Sequence, residues 1–148
     1  MRQGAISRPA EILLVEDSPT DVLITREAFA QANLLINLHV VEDGIEAMAF
    51  LWKTGQYGDA PRPDLILLDW NLPRKNGREV LAEIKAAAAL KSFPVIVLTS
   101  SQSERDLLTA YRLHANCHII KPGNFKDFTQ VISDIGHFWL TVVTLPSH

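Results

Sequence analysis

The chain has 148 residues, near the usual size of one domain, and its 47% hydrophobic content is enough to fill a single core. A net charge of −3 offers no basic surface for nucleic acid. No uninterrupted apolar segment is long enough to cross a bilayer or to serve as a signal peptide. Composition therefore predicts one cytoplasmic domain with neither nucleic acid nor membrane as a partner.

The first half of the chain alternates short aliphatic runs with helical patterns. The first run, residues 12–15, predicts a strand, and Ser18 followed by Pro19 predicts a helix that continues to about residue 31. A second strand is predicted over residues 35–41, and a second helix starts after Asp43. Residues 54–63 are polar and contain Gly and Pro, which predicts a loop.

The second half continues the same alternation. A third strand over residues 65–69 is followed by a helix that starts at Asn76-Gly77. Residues 94–99 predict a fourth strand, and Ser101 with Glu104 stands at capping-box spacing before a helix that continues to about residue 113. A fifth strand over residues 117–120 precedes a last helix from residue 124, with apolar residues at helical spacing: Phe125, Phe128, Val131, Ile132, Ile135, Phe138 and Trp139.

Five strand–helix repeats predict an α/β fold with a parallel sheet and right-handed crossovers. Two nucleotide-type doubly wound folds compete at this point. We favour the flavodoxin-like fold, a five-stranded parallel sheet of order 2-1-3-4-5 with five helices, whose switch point lies between the first and third strands. This order predicts that Glu16, Asp17 and Asp69 come together.

Polar residues follow four of the predicted strands, and all of them would lie at the carboxyl edge of the sheet: Glu16 with Asp17, Asp69, Thr99 and Lys121. Taken singly, each is more often a helix cap, a turn residue or a solvated charge. Asp69 is the exception, because the next helix begins only near Gly77 and Asp69 is poorly placed to cap it. The joint pattern therefore predicts a functional site.

Three converging carboxylates repel one another and need a cation, and Mg²⁺ prefers such oxygen ligands together with a phosphate. A lysine ammonium and a threonine hydroxyl at the same edge suit a phosphoryl group. No glycine-rich phosphate loop follows the first strand, which argues against a nucleotide site. A carboxylate can itself act as the nucleophile, and Asp69 is the candidate for this aspartyl-phosphate chemistry.

At these residues the sequence resembles the receiver domains of two-component response regulators. The ordered set Glu16-Asp17, Asp69, Thr99 and Lys121-Pro122 carries the resemblance, which spans most of the chain. It divides the chain into a tail (residues 1–10), a receiver domain (11–140) and a C-terminal extension (141–148). It implies that a histidine kinase phosphorylates Asp69, and that the protein catalyses only its own phosphorylation and dephosphorylation.

The resemblance also assigns roles around the phosphoacceptor. Mg²⁺ would be bound by Asp17, Asp69 and the backbone carbonyl of Asn71, with Glu16 reaching the metal through water. Lys121 would pair with the carboxylate and then, with Thr99, with the phosphoryl oxygens. The bond between Lys121 and Pro122 would be cis.

His118 stands where the family usually has Tyr or Phe as the rotating switch residue beside Thr99. Two interpretations stay open for His118: a half-buried strand histidine, or a working switch whose charge makes the output depend on pH.

The end of the sequence predicts how the signal leaves the domain. No output domain follows, so we expect signalling through protein contacts at the face of the fourth helix, fifth strand and fifth helix. An apolar C-terminal segment predicts a symmetric homodimer, with contacts from Phe138, Trp139, Leu140, Val142 and Val143. Together with residues 50–52 and 61–63, this segment is similar to the single-domain regulators of phytochrome-type histidine kinases, which implies such a kinase as partner.

Two other functions are compatible with part of this residue pattern. A haloacid-dehalogenase-type phosphatase also uses a strand-end aspartate and Mg²⁺, but it needs a second aspartate where this chain has Asn71. A receiver-like binding module that is never phosphorylated is the alternative, although such domains typically lose the acidic pair or the lysine. This chain keeps both.

Overall fold

The computed structural model describes residues 8–100, 115 and 117–142. Residues 141 and 142 are described by their backbone alone. It contains a parallel sheet of order β2-β1-β3-β4-β5, which confirms the predicted strand order. The strands are β1 (Ala10–Val15), β2 (Ile36–Val41), β3 (Leu65–Asp69), β4 (Val95–Thr99) and β5 (Cys117–Ile120). The bounds of β3 and β5 are those predicted from the sequence.

Four α-helices lie among the described residues, and we number them in chain order. They are α1 (Pro19–Gln31), α2 (Gly44–Trp52), α3 (Gly77–Ala86) and α4 (Phe125–His137). A short 3₁₀ helix follows α2 at Gly55–Tyr57, and a π-helical turn, Phe138–Val142, continues α4. The helix predicted after Ser101 lies outside the described residues, so five helices are not established.

The three central strands are buried on both faces, which explains their uninterrupted aliphatic sequences. Alternate side chains point to opposite faces, so each strand contributes to two cores. Leu13, Ile66 and Val97 pack with α2 and α3, whereas Leu14, Leu67 and Ile96 pack with α1 and α4. Helices on both faces therefore complete a doubly wound layer structure.

Each helix begins with a side-chain cap at the carboxyl edge of the sheet. Ser18 accepts a hydrogen bond from the backbone N–H of Asp21, as the sequence predicts, and Asp43 and Asn124 cap α2 and α4 in the same way. Asn76 and Glu79 form a capping box at α3. These caps fix four helix starts around one edge, which is the edge that carries the predicted site.

The apolar pattern of α4 is only partly a core pattern. Phe128, Ile132 and Ile135 are buried, whereas Phe125 is 61% exposed. Phe125 is the first residue of α4, directly after its cap Asn124. No helix within the described residues has the length and apolarity needed to cross a membrane.

Candidate functional site

The predicted acidic cluster forms where β1 and β3 end side by side. The two strands pair in register from Ile12 with Leu65 to Val15 with Leu68, so their next residues share the same edge. Glu16, Asp17 and Asp69 each bring a carboxylate oxygen to within 4.8 Å of the others. Glu16 and Asp69 are 2% and 5% exposed, whereas Asp17 is exposed, so the cluster is open to solvent on one side.

Lys121 brings a positive charge into this cluster from the end of β5. Its Nζ lies 2.8 Å from Glu16 Oε1, 2.8 Å from Asp21 Oδ2 and 3.6 Å from Asp69 Oδ2. Its backbone N–H donates to the carbonyl of Thr99, which ties the ends of β4 and β5 together. The carboxylates still outnumber the ammonium, so the site favours a further cation.

Burial and hydrogen bonding shift the pKa values of two of these groups. Desolvation raises the pKa of Glu16 to about 7, and the neighbouring Asp69 carboxylate adds to this, although the hydrogen bond from Lys121 opposes it. Burial alone would lower the pKa of Lys121, but its hydrogen bonds to Asp21 and Glu16 outweigh that effect, so the pKa is raised. Lys121 is therefore charged at neutral pH, whereas Glu16 is partly protonated there.

Thr99 lies on β4, the strand next to that of Asp69, and His118 lies on β5, the following strand of the sheet. Thr99 is fully buried at the end of β4, and His118 is half-buried on β5, paired in register with Val97. The expected cis bond between Lys121 and Pro122 is wrong. The described residues contain no cis peptide bond, so this bond has the trans form that is intrinsically favoured even before proline.

The loop between β3 and α3 holds the segment that follows Asp69. The backbone N–H of Asn71 donates to Asp69 Oδ1 over 3.2 Å. The backbone N–H of Gly77 donates to the carbonyl oxygen of Trp70 over 3.1 Å. Arg74, which has a φ of 62°, donates hydrogen bonds from both Nε and Nη2 to Asp43 Oδ2. These contacts clamp the loop onto the start of α2.

Sequence reasoning missed two of the contacts around this site. The contact of Asp21 with Lys121 has no sequence signal beyond the position of Asp21 as the next acidic residue after the Glu16-Asp17 pair, four residues beyond Asp17. The contact between Asp43 and Arg74 has no local sequence signal, because 31 positions separate the two residues.

A parallel sheet of order 2-1-3-4-5 with an acidic triplet, a threonine and a lysine at its carboxyl edge defines a receiver domain. The family model of the response regulator receiver domain matches residues 12–133, and the chain belongs to this family. It is a signalling protein of the two-component class, and receiver domains bind a divalent metal.

Response regulator Rcp1 of Synechocystis sp. is 49% identical over 139 residues, which cover 94% of this chain and 95% of the relative. The crystal structure of the phosphorylated cyanobacterial phytochrome response regulator RcpA superposes with a TM-score of 0.91 at 48% identity, covering 94% and 99% of the two chains. The Mn²⁺-bound form of Rcp1 gives a TM-score of 0.90 at 49% identity, covering 94% and 100%.

Proposed function

We propose that this protein accepts a phosphoryl group on Asp69 from a phosphohistidine of a histidine kinase. The observation that carries the proposal is the position of Asp69 at the end of the central strand, between two carboxylates and a lysine ammonium. A carboxylate oxygen of Asp69 attacks phosphorus, the P–N bond to the donor imidazole breaks, and an acyl phosphate forms. Its hydrolysis by water ends the signal.

The chain's own residues supply charge neutralisation for this step. Lys121 lies 3.6 Å from Asp69 Oδ2 and can donate to phosphoryl oxygens without large movement. Asn71 N–H fixes the other oxygen, Oδ1, so the carboxylate keeps one orientation. Thr99 at the neighbouring strand end is the hydroxyl that we assign to the phosphoryl group once it has formed.

The acidic cluster fits a hard divalent cation, and we propose Mg²⁺. Asp17, Asp69 and the backbone carbonyl of Asn71 would hold it, with Glu16 acting through water. These are oxygen donors only, and one side of the cluster is open to solvent, as a cation that keeps several waters requires. The cation would supply neutralisation of the phosphoryl oxygens.

We further propose that phosphorylation pulls Thr99 toward the acceptor and changes the face around β5 and α4. His118 lies on that face on β5, next to β4, the strand of Thr99, where its side chain can respond to a movement of Thr99. Protein contacts at this face would then carry the signal.

A phytochrome-type histidine kinase is the partner that we propose. The support comes from relatives: RcpA is described as a cyanobacterial phytochrome response regulator, and it is 48% identical over nearly the whole chain. A response regulator recognises its kinase through the residues that contact it. Since this chain and RcpA are similar over nearly their whole length, we expect them to be recognised by the same kind of kinase.

Incubation with acetyl phosphate and Mg²⁺ followed by intact-mass analysis tests the acceptor. We expect the mass of one phosphoryl group on the wild type and none on Asp69→Asn, because an amide cannot form the acyl phosphate. Asp59→Asn is the matched control, since Asp59 lies outside the site, and it should gain the same mass as the wild type. An equal gain in Asp69→Asn, or none in the wild type, contradicts the proposal.

A second arm of this experiment replaces acetyl phosphate with a phytochrome-type kinase and ATP. We expect transfer to be faster from this kinase than from a histidine kinase of another sensory class. Transfer only from the unrelated kinase removes the light-signalling proposal and leaves the acceptor assignment intact.

We also propose a homodimer that uses the C-terminal segment. Phe138 is 52% exposed, while Trp139 and Leu140 are half-buried against the core on the α1 and α4 face. The side chain of Val142 and all of Val143 lie outside the described residues. An exposed aromatic ring beside apolar residues supports an interface.

Sedimentation velocity tests the dimer. We expect Phe138→Ala to weaken association by about 10-fold, as for loss of an aromatic anchor. Phe125→Ala is the matched control, because Phe125 is also an exposed phenylalanine, at the other end of α4, and its loss should leave association unchanged. A monomeric wild type at micromolar concentration contradicts the proposal.

A further inference from the structure

Asp21 is the acidic residue of this edge that the proposed chemistry does not use. It lies in the first turn of α1, and its side chain is 23% exposed. Its carboxylate is not part of the metal-ligating cluster found among the described residues, which consists of Glu16, Asp17 and Asp69. Its Oδ2 instead lies 2.8 Å from Lys121 Nζ, so its partner is the lysine.

The start of α1 explains why the Asp21 carboxylate is available. In a capping box the third helical residue turns back to the N–H of the cap, as Glu79 does toward Asn76 over 2.9 Å. At α1 the N–H of Ser18 donates to Glu16 Oε2 instead, over 3.3 Å. Asp21 therefore turns across the edge of the sheet toward Lys121.

The two short contacts fix the direction of the ammonium. A lysine ammonium has three N–H donors. Glu16 and Asp21 each accept one over 2.8 Å, which leaves the third for Asp69 Oδ2, 3.6 Å away. The Lys121 side chain is only 11% exposed, so few waters can replace either carboxylate.

We propose that Asp21 is a positioning residue that holds Lys121 against the phosphoacceptor. Glu16 is shared between Lys121 and the proposed metal site, so its hold on the ammonium weakens when a cation binds. Asp21 has no such second partner, and its contact with Lys121 persists. This inference rests on the proposed phosphorylation of Asp69 and adds the residue that orients the lysine for it.

The test measures phosphorylation of the full chain by acetyl phosphate with Mg²⁺. We expect Asp21→Ala to slow the reaction about 5- to 10-fold, because a partly exposed, charge-assisted hydrogen bond to the lysine is lost. Asp21→Asn, which keeps an acceptor oxygen without the charge, should be intermediate. Asp127→Ala is the matched control: Asp127 holds the same first-turn position in α4 without touching Lys121, and its removal should leave the rate unchanged.

A second pair of variants separates positioning from a merely structural role. In a Lys121→Ala background, Asp21→Ala should not change the residual phosphorylation rate beyond error, because Asp21 acts on the reaction through the lysine. A rate equal to wild type in Asp21→Ala, or slowing that persists without Lys121, overturns the inference. Failure of the proposed function is a different result, since the wild type itself would then gain no phosphoryl group.

Discussion

Lys121→Ala should lower the free energy of unfolding of the metal-free protein by about 3 kcal/mol at pH 8, the usual cost of leaving buried carboxylates without their partner. The ammonium neutralises Glu16 and Asp69, which are almost fully buried, and also binds Asp21. Removing it leaves the carboxylates facing one another.

The loss should depend on pH, with its sign set by Glu16. Burial raises the pKa of Glu16 from 4.5 to about 7, so the folded protein holds this proton more tightly than the unfolded chain. The contribution of Glu16 to the stability of the wild type therefore falls as the pH rises from about 4.5 to 7. Without the Lys121 hydrogen bond the pKa of Glu16 rises further, so the variant continues to lose stability above pH 7. At pH 5, where Glu16 is protonated in both folded proteins, the difference should shrink to about 1 kcal/mol.

Urea unfolding in the presence of a chelator at pH 5 and pH 8 measures both values. Lys126→Ala is the matched control, since Lys126 is an exposed lysine on α4, and it should change stability by less than about 0.5 kcal/mol at either pH. A loss of the same size at both pH values would show that Glu16 does not carry the effect.

Gly77→Ala should destabilise the protein by about 3 kcal/mol, although alanine ordinarily stabilises a helix relative to glycine. A Cβ at this position would lie 2.5 Å from the Asp69 carbonyl oxygen and 2.7 Å from Trp70 Cα. Both are backbone atoms of the strand end that carries the phosphoacceptor, and they cannot turn aside as a side chain can. The first residue of α3 or the end of β3 must therefore move.

Thermal or urea unfolding measures the loss, and the buried Trp70 offers a local fluorescence signal. The matched control is Gly58→Ala. An added Cβ there meets its nearest atom, the Gly55 carbonyl oxygen, at 3.9 Å, and stability should stay within about 0.5 kcal/mol of the wild type. Equal stability of Gly77→Ala and the wild type would contradict the close approach of α3 to β3.

The sheet could be predicted well because its signals are local. The aliphatic run of β3 is short and bounded by polar or proline residues, so its ends were predicted to the residue, as was the cap of α1 by Ser18. β1 begins at Ala10, two residues earlier than predicted, because pairing with Ile36 extends it. Such pairing depends on a neighbouring strand and leaves no mark on the apolar pattern.

The site could be predicted in part for the same reason. Strand ends identified Glu16, Asp17 and Asp69, since strand order alone brings them together. The contact of Asp21 with Lys121 spans 100 positions, and the choice of Glu16 over Asp21 as partner for the Ser18 N–H depends on side-chain geometry that a cap pattern does not contain. The exposure of Phe125 likewise depends on where α4 meets the sheet.

The ion pair between Lys121 and Glu16 joins residues 105 positions apart. The lysine reaches the acidic cluster only after β3, β4 and β5 have paired in order, so no half-assembled sheet contains the complete pocket. Nonlocal pairing of this kind forms slowly, because closing the intervening chain costs entropy before the contact stabilises. The complete pocket, and with it the proposed competence to receive a phosphoryl group, is thus acquired together with the native sheet.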